Sequence, residues 1–320
     1  MVEDALPQAT AGARESEVLL GTCGNHEIVV LDASTGSFEV EAASTPPSKQ
    51  VPPLVWVQLA FAVLAISTAA VAFRELPDTP PFLLASWRMQ TTSIILAFGA
   101  GYQGWNETRE LLLRWLHSFP LLMISGVCLA AHFGLWVWGL QNTSLPHSLL
   151  LVCCTPLLLS FGSLALCLQI SAGEIASSVL GALGVALMAA DVGQTRGDDA
   201  VTWFGDVMSL GAAAAIIGYM LIGHQLRQWM PLFLYVFPVT LTAAVVLAVA
   251  SALVEDAGVL TDRTQGGQGG HAGIFGWTTD LRSFVVTAYL ALGPGLVGHT
   301  GYNQIPNPEI GKLGPTSFKP

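Results

Sequence analysis

Apolar and polar positions separate into long blocks along this chain. Eight apolar runs lie between residues 53 and 303: Pro53–Phe73, Pro81–Phe98, Phe119–Leu140, Pro146–Leu168, Ile175–Ala190, Val201–Gly223, Pro231–Val254 and Phe284–Tyr302. Helices of about this length cross a hydrocarbon core of ~30 Å at 1.5 Å per residue. The runs are apolar nearly all round, as helices embedded in lipid or in a bundle are. Period-two alternation, the mark of a membrane barrel strand, is absent from them. The pattern predicts an all-α polytopic membrane protein with about eight transmembrane helices.

The blocks between the runs differ in kind. Residues 1–50 are polar and acidic, end in Ser44-Thr45-Pro46-Pro47-Ser48, and read as a disordered N-terminal tail with room for a short strand around Glu27–Leu31. The third and fourth runs are joined by a tight, uncharged loop, Gln141–Leu145. The seventh and eighth are joined by Glu255–Arg282, whose seven glycines suggest a flexible spacer outside the membrane. Residues 304–320 form a polar tail containing Pro306, Pro308, Pro315 and Pro320, which cannot span a bilayer.

Composition narrows the class further. The chain is 52% hydrophobic and 11% charged, against about 25% charged in an average soluble domain, and its mean hydropathy is +0.58. This excludes a soluble enzyme, a disordered chain and a disulfide-stapled secreted module. The net charge of −10 gives no nucleic-acid footprint, and eight of the 22 acidic residues fall in the first 41 positions. Cys128, Cys153, Cys154 and Cys167 sit inside apolar runs, where cysteine acts as a small hydrophobe, and no spacing suggests zinc or redox chemistry. The acidic start, Met1-Val2-Glu3-Asp4, lacks the h-region of a cleavable signal. With no P-loop, nucleophile elbow or HExxH motif, neither an enzyme nor a cofactor or metal site is expected. Lys and Arg number seven on the N-terminal side of the bilayer (Arg14, Lys49, Arg109, Arg114, Arg227, Lys312, Lys319) and four on the other (Arg74, Arg196, Arg263, Arg282), which favours a cytoplasmic N-terminus. Of two glycosylation sequons, Asn106-Glu107-Thr108 then faces the cytosol and Asn142-Thr143-Ser144 hugs the membrane. The sequence leaves plasma membrane or endomembrane, and a homodimer, open.

Two stretches match each other. Run two opens Pro81-Phe82-Leu83-Leu84 and run seven Pro231-Leu232-Phe233-Leu234, while His132-Phe133-Gly134 in run three is echoed by His299-Thr300-Gly301 in run eight. If run seven repeats run two, the unit is five helices. Five is odd, so the second copy enters the membrane with opposite polarity, a recurring build in secondary transporters with the solute near mid-bilayer. The units are 51–191 and 201–303, the second incomplete with three helices and the Gly-rich loop 255–282.

On these residues the chain resembles the drug/metabolite transporter superfamily, specifically EamA-type permeases. The resemblance covers roughly residues 53–303. It rests on Pro81…Trp87-Arg88, His132-Phe133-Gly134-Leu135-Trp136, Asn142-Thr143-Ser144 with Pro156, Glu174 before Gly181…Gly184-Val185, Gly205-Asp206, and Leu290-Ala291-Leu292-Gly293-Pro294…Gly298-His299-Thr300-Gly301-Tyr302-Asn303. It implies ten helices in two inverted repeats and the carriage of small organic solutes. The Gly181–Gly184 spacing is tighter than the family's, and the 17 residues after Asn303 are too few for the last two helices. Two functions follow: a permease working by alternating access, or a truncated, non-transporting membrane paralogue that binds partners or has no activity.

The candidate substrate-binding residues are Arg88, His132, Trp136, His299 and Asn303. Arg88 lies about seven residues into run two, ~10 Å deep. An intramembrane charge is costly. It would either pair with a carboxylate or phosphate on an anionic solute, or snorkel and bond helix-end carbonyls. His132 and His299 would be proton-linked partners or interhelical hydrogen-bond groups. Trp136 and Trp138 flank run three, to line a cavity or to pack. Pro156 should kink helix four and free a carbonyl. Glu174 and Asp206 read as helix-start acids, Gly181 and Gly184 as close-packing positions, Cys153 and Cys154 as packing residues on different faces, and His147 and His224 as interfacial.

Overall fold

A computed structural model of the chain describes residues 17–23, 27–32, 37–42, 53–165, 171–189, 201–258 and 273–300. The N-terminal part is an antiparallel sheet of β1 (Glu17–Cys23), β2 (Glu27–Asp32) and β3 (Ser37–Ala42), in that order. Glu17 pairs with Asp32, and Glu27 with Ala42. The first pairing slips between Leu19 and Thr22, around Gly21, as glycine in a strand often allows. Where the sequence suggests a disordered tail with one short strand, three strands form. The flanking strands are harder to read because Glu39 and Glu41 alternate with Phe38 and Val40 in a short, acidic stretch.

The second part is helical. Run one is α1 (Pro53–Ser67) followed by α2 (Ala69–Arg74). The break falls where the hydroxyls of Ser67 and Thr68 donate back to the carbonyls of Val63 and Ala65, both at 2.8 Å, a local competition that bends helices. Run two is α3 (Pro81–Asn106). A short amphipathic helix, α4 (Arg109–His117), was not foreseen from the pattern; Thr108 caps it, and Trp115 Nε1 donates to the Leu234 carbonyl at 2.8 Å. Run three is α5 (Phe119–Asn142). Run four divides into α6 (Leu145–Val152) and α7 (Thr155–Ala165). Run five is α8 (Ala172–Ala189), run six α9 (Trp203–Leu226) and run seven α10 (Leu232–Val254). Run eight is α11 (Leu281–Leu290), which widens into a π-helical run, Ala291–Thr300, around Gly293-Pro294-Gly295.

Among the described residues, six helices are long and apolar enough to cross a membrane: Trp56–Arg74, Phe119–Asn142, Leu145–Leu164, Trp203–Leu226, Leu232–Val254 and Leu281–Gly298. The chain is thus a multi-pass membrane protein by length and composition of its helices. Its flanks suit lipid, since Phe98, Leu187 and Leu253 are each 78% exposed. The eight runs and six spans differ at two places. α8 is apolar but short, Ala172–Leu187. α3 has 26 residues but carries Arg88, Gln90, Thr91, Thr92 and Ser93 in mid-helix, and Arg88, Thr91, Thr92 and Ser93 are buried within the bundle.

α3 packs on α10, α5, α11 and the π-helical run, and α5 packs also on α9 and α10. α3 and α10 run antiparallel and cap each other. Glu255, after α10, accepts the Phe82 and Leu83 N–H groups through its two oxygens at 2.7 and 3.0 Å. Gln103 Oε1, near the end of α3, accepts the Phe233 and Leu234 N–H groups at 2.8 and 3.3 Å. These are the orphan donors of the two helix starts. Pro80 (φ −55°, ψ 144°) and Pro231 (φ −56°, ψ 146°) hold the same N-cap geometry ahead of the two helices.

The chain between α10 and α11 returns into the bundle. Ile274 N–H donates to the Gly258 carbonyl at 2.8 Å. The carbonyls of Gly273 and Ile274 accept from Trp87 Nε1 (3.2 Å) and Gln90 Nε2 (3.1 Å), and Trp277 Nε1 donates to Gln90 Oε1 at 2.9 Å. Irregular backbone is tolerable at such depth when protein groups satisfy it. The glycine-rich stretch 259–272, expected to be a spacer, lies outside the described residues.

Candidate functional site

The buried polar stretch of α3 is unequal in how it is satisfied. Thr91 Oγ1, Thr92 Oγ1 and Ser93 Oγ fold back onto the carbonyls of Trp87, Arg88 and Met89 at 2.9, 2.8 and 2.7 Å, and Ser86 Oγ donates to the Ala244 carbonyl of α10 at 3.0 Å. The Arg88 side chain has no such outlet. It is fully buried, and none of Nε, Nη1 and Nη2 makes a hydrogen bond. Its neighbours are rings: Cζ lies 4.2 Å from the Phe133 centroid on α5 and 5.6 Å from that of Phe73 on α2. Cation–π contact offsets part of the desolvation of a guanidinium but supplies no acceptor for its N–H groups. The charge neither snorkels to the surface nor bonds a helix-end carbonyl. That second role belongs to Arg74, whose Nη2 donates to the carbonyls of Leu140 (3.3 Å) and Thr143 (2.8 Å) at the end of α5.

Trp136, one turn beyond His132 on α5, closes the box. Its ring meets Phe73 edge-on at 5.6 Å and Phe133 at 6.2 Å, and its Nε1 is a second buried donor without a partner. His132 stacks on Trp136 (6.2 Å, 20° between planes). Its Nδ1 lies 2.9 Å from the Ala212 carbonyl of α9. A carbonyl only accepts, so Nδ1 carries a proton. Arg88, His132 and Trp136 are therefore brought together. His299 falls in the π-helical run, but its side chain, like all of Asn303, lies outside the described residues. Neither Phe73 nor Phe133 is among the candidate site residues of the sequence: Phe133 enters there only within the His132-Phe133-Gly134 motif, and Phe73 carries no distinguishing signal in an apolar run.

A second polar cluster sits where α5, α6 and α9 meet. Asp206 Oδ1 accepts from Thr143 Oγ1 at 2.7 Å, and Oδ2 lies 3.1 Å from His147 Nδ1. Ser209 Oγ donates to Ser148 Oγ at 3.0 Å. His147 is buried here, not interfacial as its place near a helix end suggests; Asp206 does stand in the first turn of α9. Trp138 packs between Phe82 (5.1 Å) and Phe204 (5.7 Å). Glu174 and Ser171 cap α8 reciprocally: the Ser171 N–H and hydroxyl donate to Glu174 Oε2 at 2.7 and 2.9 Å, and the Glu174 N–H donates to Ser171 Oγ at 3.2 Å. No family model matches the chain, and no curated protein matches it significantly.

Proposed function

We propose that the chain is a permease that moves a small organic solute across a membrane by alternating access. The observation that carries this is the Arg88 guanidinium, buried inside a bundle of membrane-length helices with every N–H unpaired. An unpaired buried ion costs several kcal/mol, and an intramembrane charge marks a solute or ion pathway by default. In this reading α3 and α8 also cross the bilayer, giving eight spans with a cytoplasmic N-terminus, and the spans form two inverted repeats.

Two features support the inverted arrangement. α3 and α10, the first helix pair read as equivalent, are antiparallel and reciprocally capped. Exchanging the two repeats also carries one packing pair into another: α5 on α9 becomes the π-helical run on α1, and both pairs are in contact. A pair of related halves around one polar site can open it to each side in turn. The solute biases that motion only by binding the two states unequally.

The test is solute uptake and efflux by the full chain in reconstituted vesicles, screened with a metabolite panel. Arg88→Ala should lower flux of the transported solute about 10- to 100-fold, the worth of a charged hydrogen-bonding group, and His132→Ala should lower it less. Wild-type flux in both variants, with wild-type folding, would remove these residues from the pathway.

A further inference from the structure

We infer that the box formed by Arg88 and Trp136 binds a single carboxylate carried on an apolar body. This rests on the permease reading for the ligand's route, though not for its binding. Two orphan donor groups from two packed helices, α3 and α5, share the same rings, Phe73 and Phe133. Both kinds of group only donate, so what completes the box must accept.

Charge selects the acceptor. Arg88 is the one permanent cation in contact with these rings among the described residues, and Arg74, one residue beyond Phe73, is engaged by the Leu140 and Thr143 carbonyls. The ion pairs among the described residues, His147–Asp206 and Arg282–Glu75, lie apart from Arg88, so no acid neutralises it from within. A phosphate monoester brings a charge of about −1.5 to −2 and would leave roughly one charge uncompensated among aromatic walls. A carboxylate matches the single charge. It also fits the planar guanidinium fork with two parallel hydrogen bonds, and a remaining lone pair can accept from the Trp136 indole. Phe73, Phe133 and the face of Trp136 give ring surface, which suits an apolar body rather than a polyol.

The experiment uses the full chain in lipid nanodiscs, with benzoate, acetate, phenyl phosphate and chloride as probes, read by thermal shift and titration calorimetry. Benzoate should bind saturably and raise Tm. Arg88→Gln should abolish the shift. Trp136→Phe keeps the ring and removes the N–H, and should weaken benzoate about tenfold. If Arg88→Gln does not fold, Trp136→Phe and Arg88→Lys carry the test, since lysine keeps the charge but loses the fork. The inference is overturned if phenyl phosphate binds tighter than benzoate, if chloride reproduces the shift, if neither carboxylate binds, or if the benzoate affinity is unchanged in the folded variants. Arg88-dependent flux of some other solute without carboxylate binding would sink this inference and keep the permease. Arg88-dependent benzoate binding with no flux of any solute would do the reverse.

Discussion

Asp206 ties three helices together through two oxygens. Thr143 ends α5, His147 belongs to α6 and Asp206 opens α9, and their contacts of 2.7 and 3.1 Å are part-buried. Breaking one partner of such a group leaves the others desolvated and unpaired. Asp206→Ala should therefore cost about 2 kcal/mol in stability, with His147→Ala close behind. A double-mutant cycle on chemical unfolding in micelles should return a coupling of about 1 kcal/mol; additive losses would mean the two side chains do not act together. The sequence shows Asp206 as a helix-start acid because that property is local. It cannot show that His147, 59 positions away, turns inward to meet it. Arg88, His132 and Trp136 stand out in the sequence for a related reason: a charge, an imidazole and an indole are conspicuous in apolar runs. Phe73 and Phe133, which make the contacts around Arg88, look like every other apolar residue there.

Among the helices, the closest approach described is between α5 and α9. A Cβ at Gly205 would fall 2.6 Å from the Asn142 carbonyl carbon and 2.7 Å from its oxygen, so backbone would have to move. Gly205→Ala should destabilise by about 1–3 kcal/mol. Gly184 is the control. The sequence gives it a packing role, yet nothing lies within 4 Å of a Cβ built there. Gly184→Ala should be neutral or mildly stabilising, by up to about 1 kcal/mol, because it adds helix propensity without a clash. Thermal unfolding of the two variants side by side checks both. Apolar runs mark where helices occur but not where they break. Run four breaks at Cys153-Cys154 just ahead of Pro156, and the Val152 carbonyl that proline frees accepts the Thr155 hydroxyl at 3.2 Å. Proline announced that break. The Ser67-Thr68 break in run one had no such marker, and α4, at nine residues, is too short to register as a block.

At the scale of the molecule, hydropathy reads lipid contact, and it fails where a helix turns polar side chains into the bundle. Arg88, Thr91, Thr92 and Ser93 do so on α3, which is why that helix is the one of the long runs that does not qualify as a span by apolarity. Its direction is open to a direct check. In a cysteine-free background, Asp78→Cys before α3 should label with an impermeant thiol reagent from the face opposite to Gln228→Cys before α10, while Glu107→Cys after α3 should label from the same face as Gln228→Cys. Labelling of Asp78→Cys and Gln228→Cys from one face would mean that α3 and α10 are parallel in the membrane. The clips at both ends of this pair, Glu255 on one and Gln103 on the other, constrain how the two rods can move. Lengthwise shear strains both clips together. A pivot where Ser86 meets the Ala244 carbonyl can loosen one while the other stays fastened. The geometry favours a seesaw over a piston.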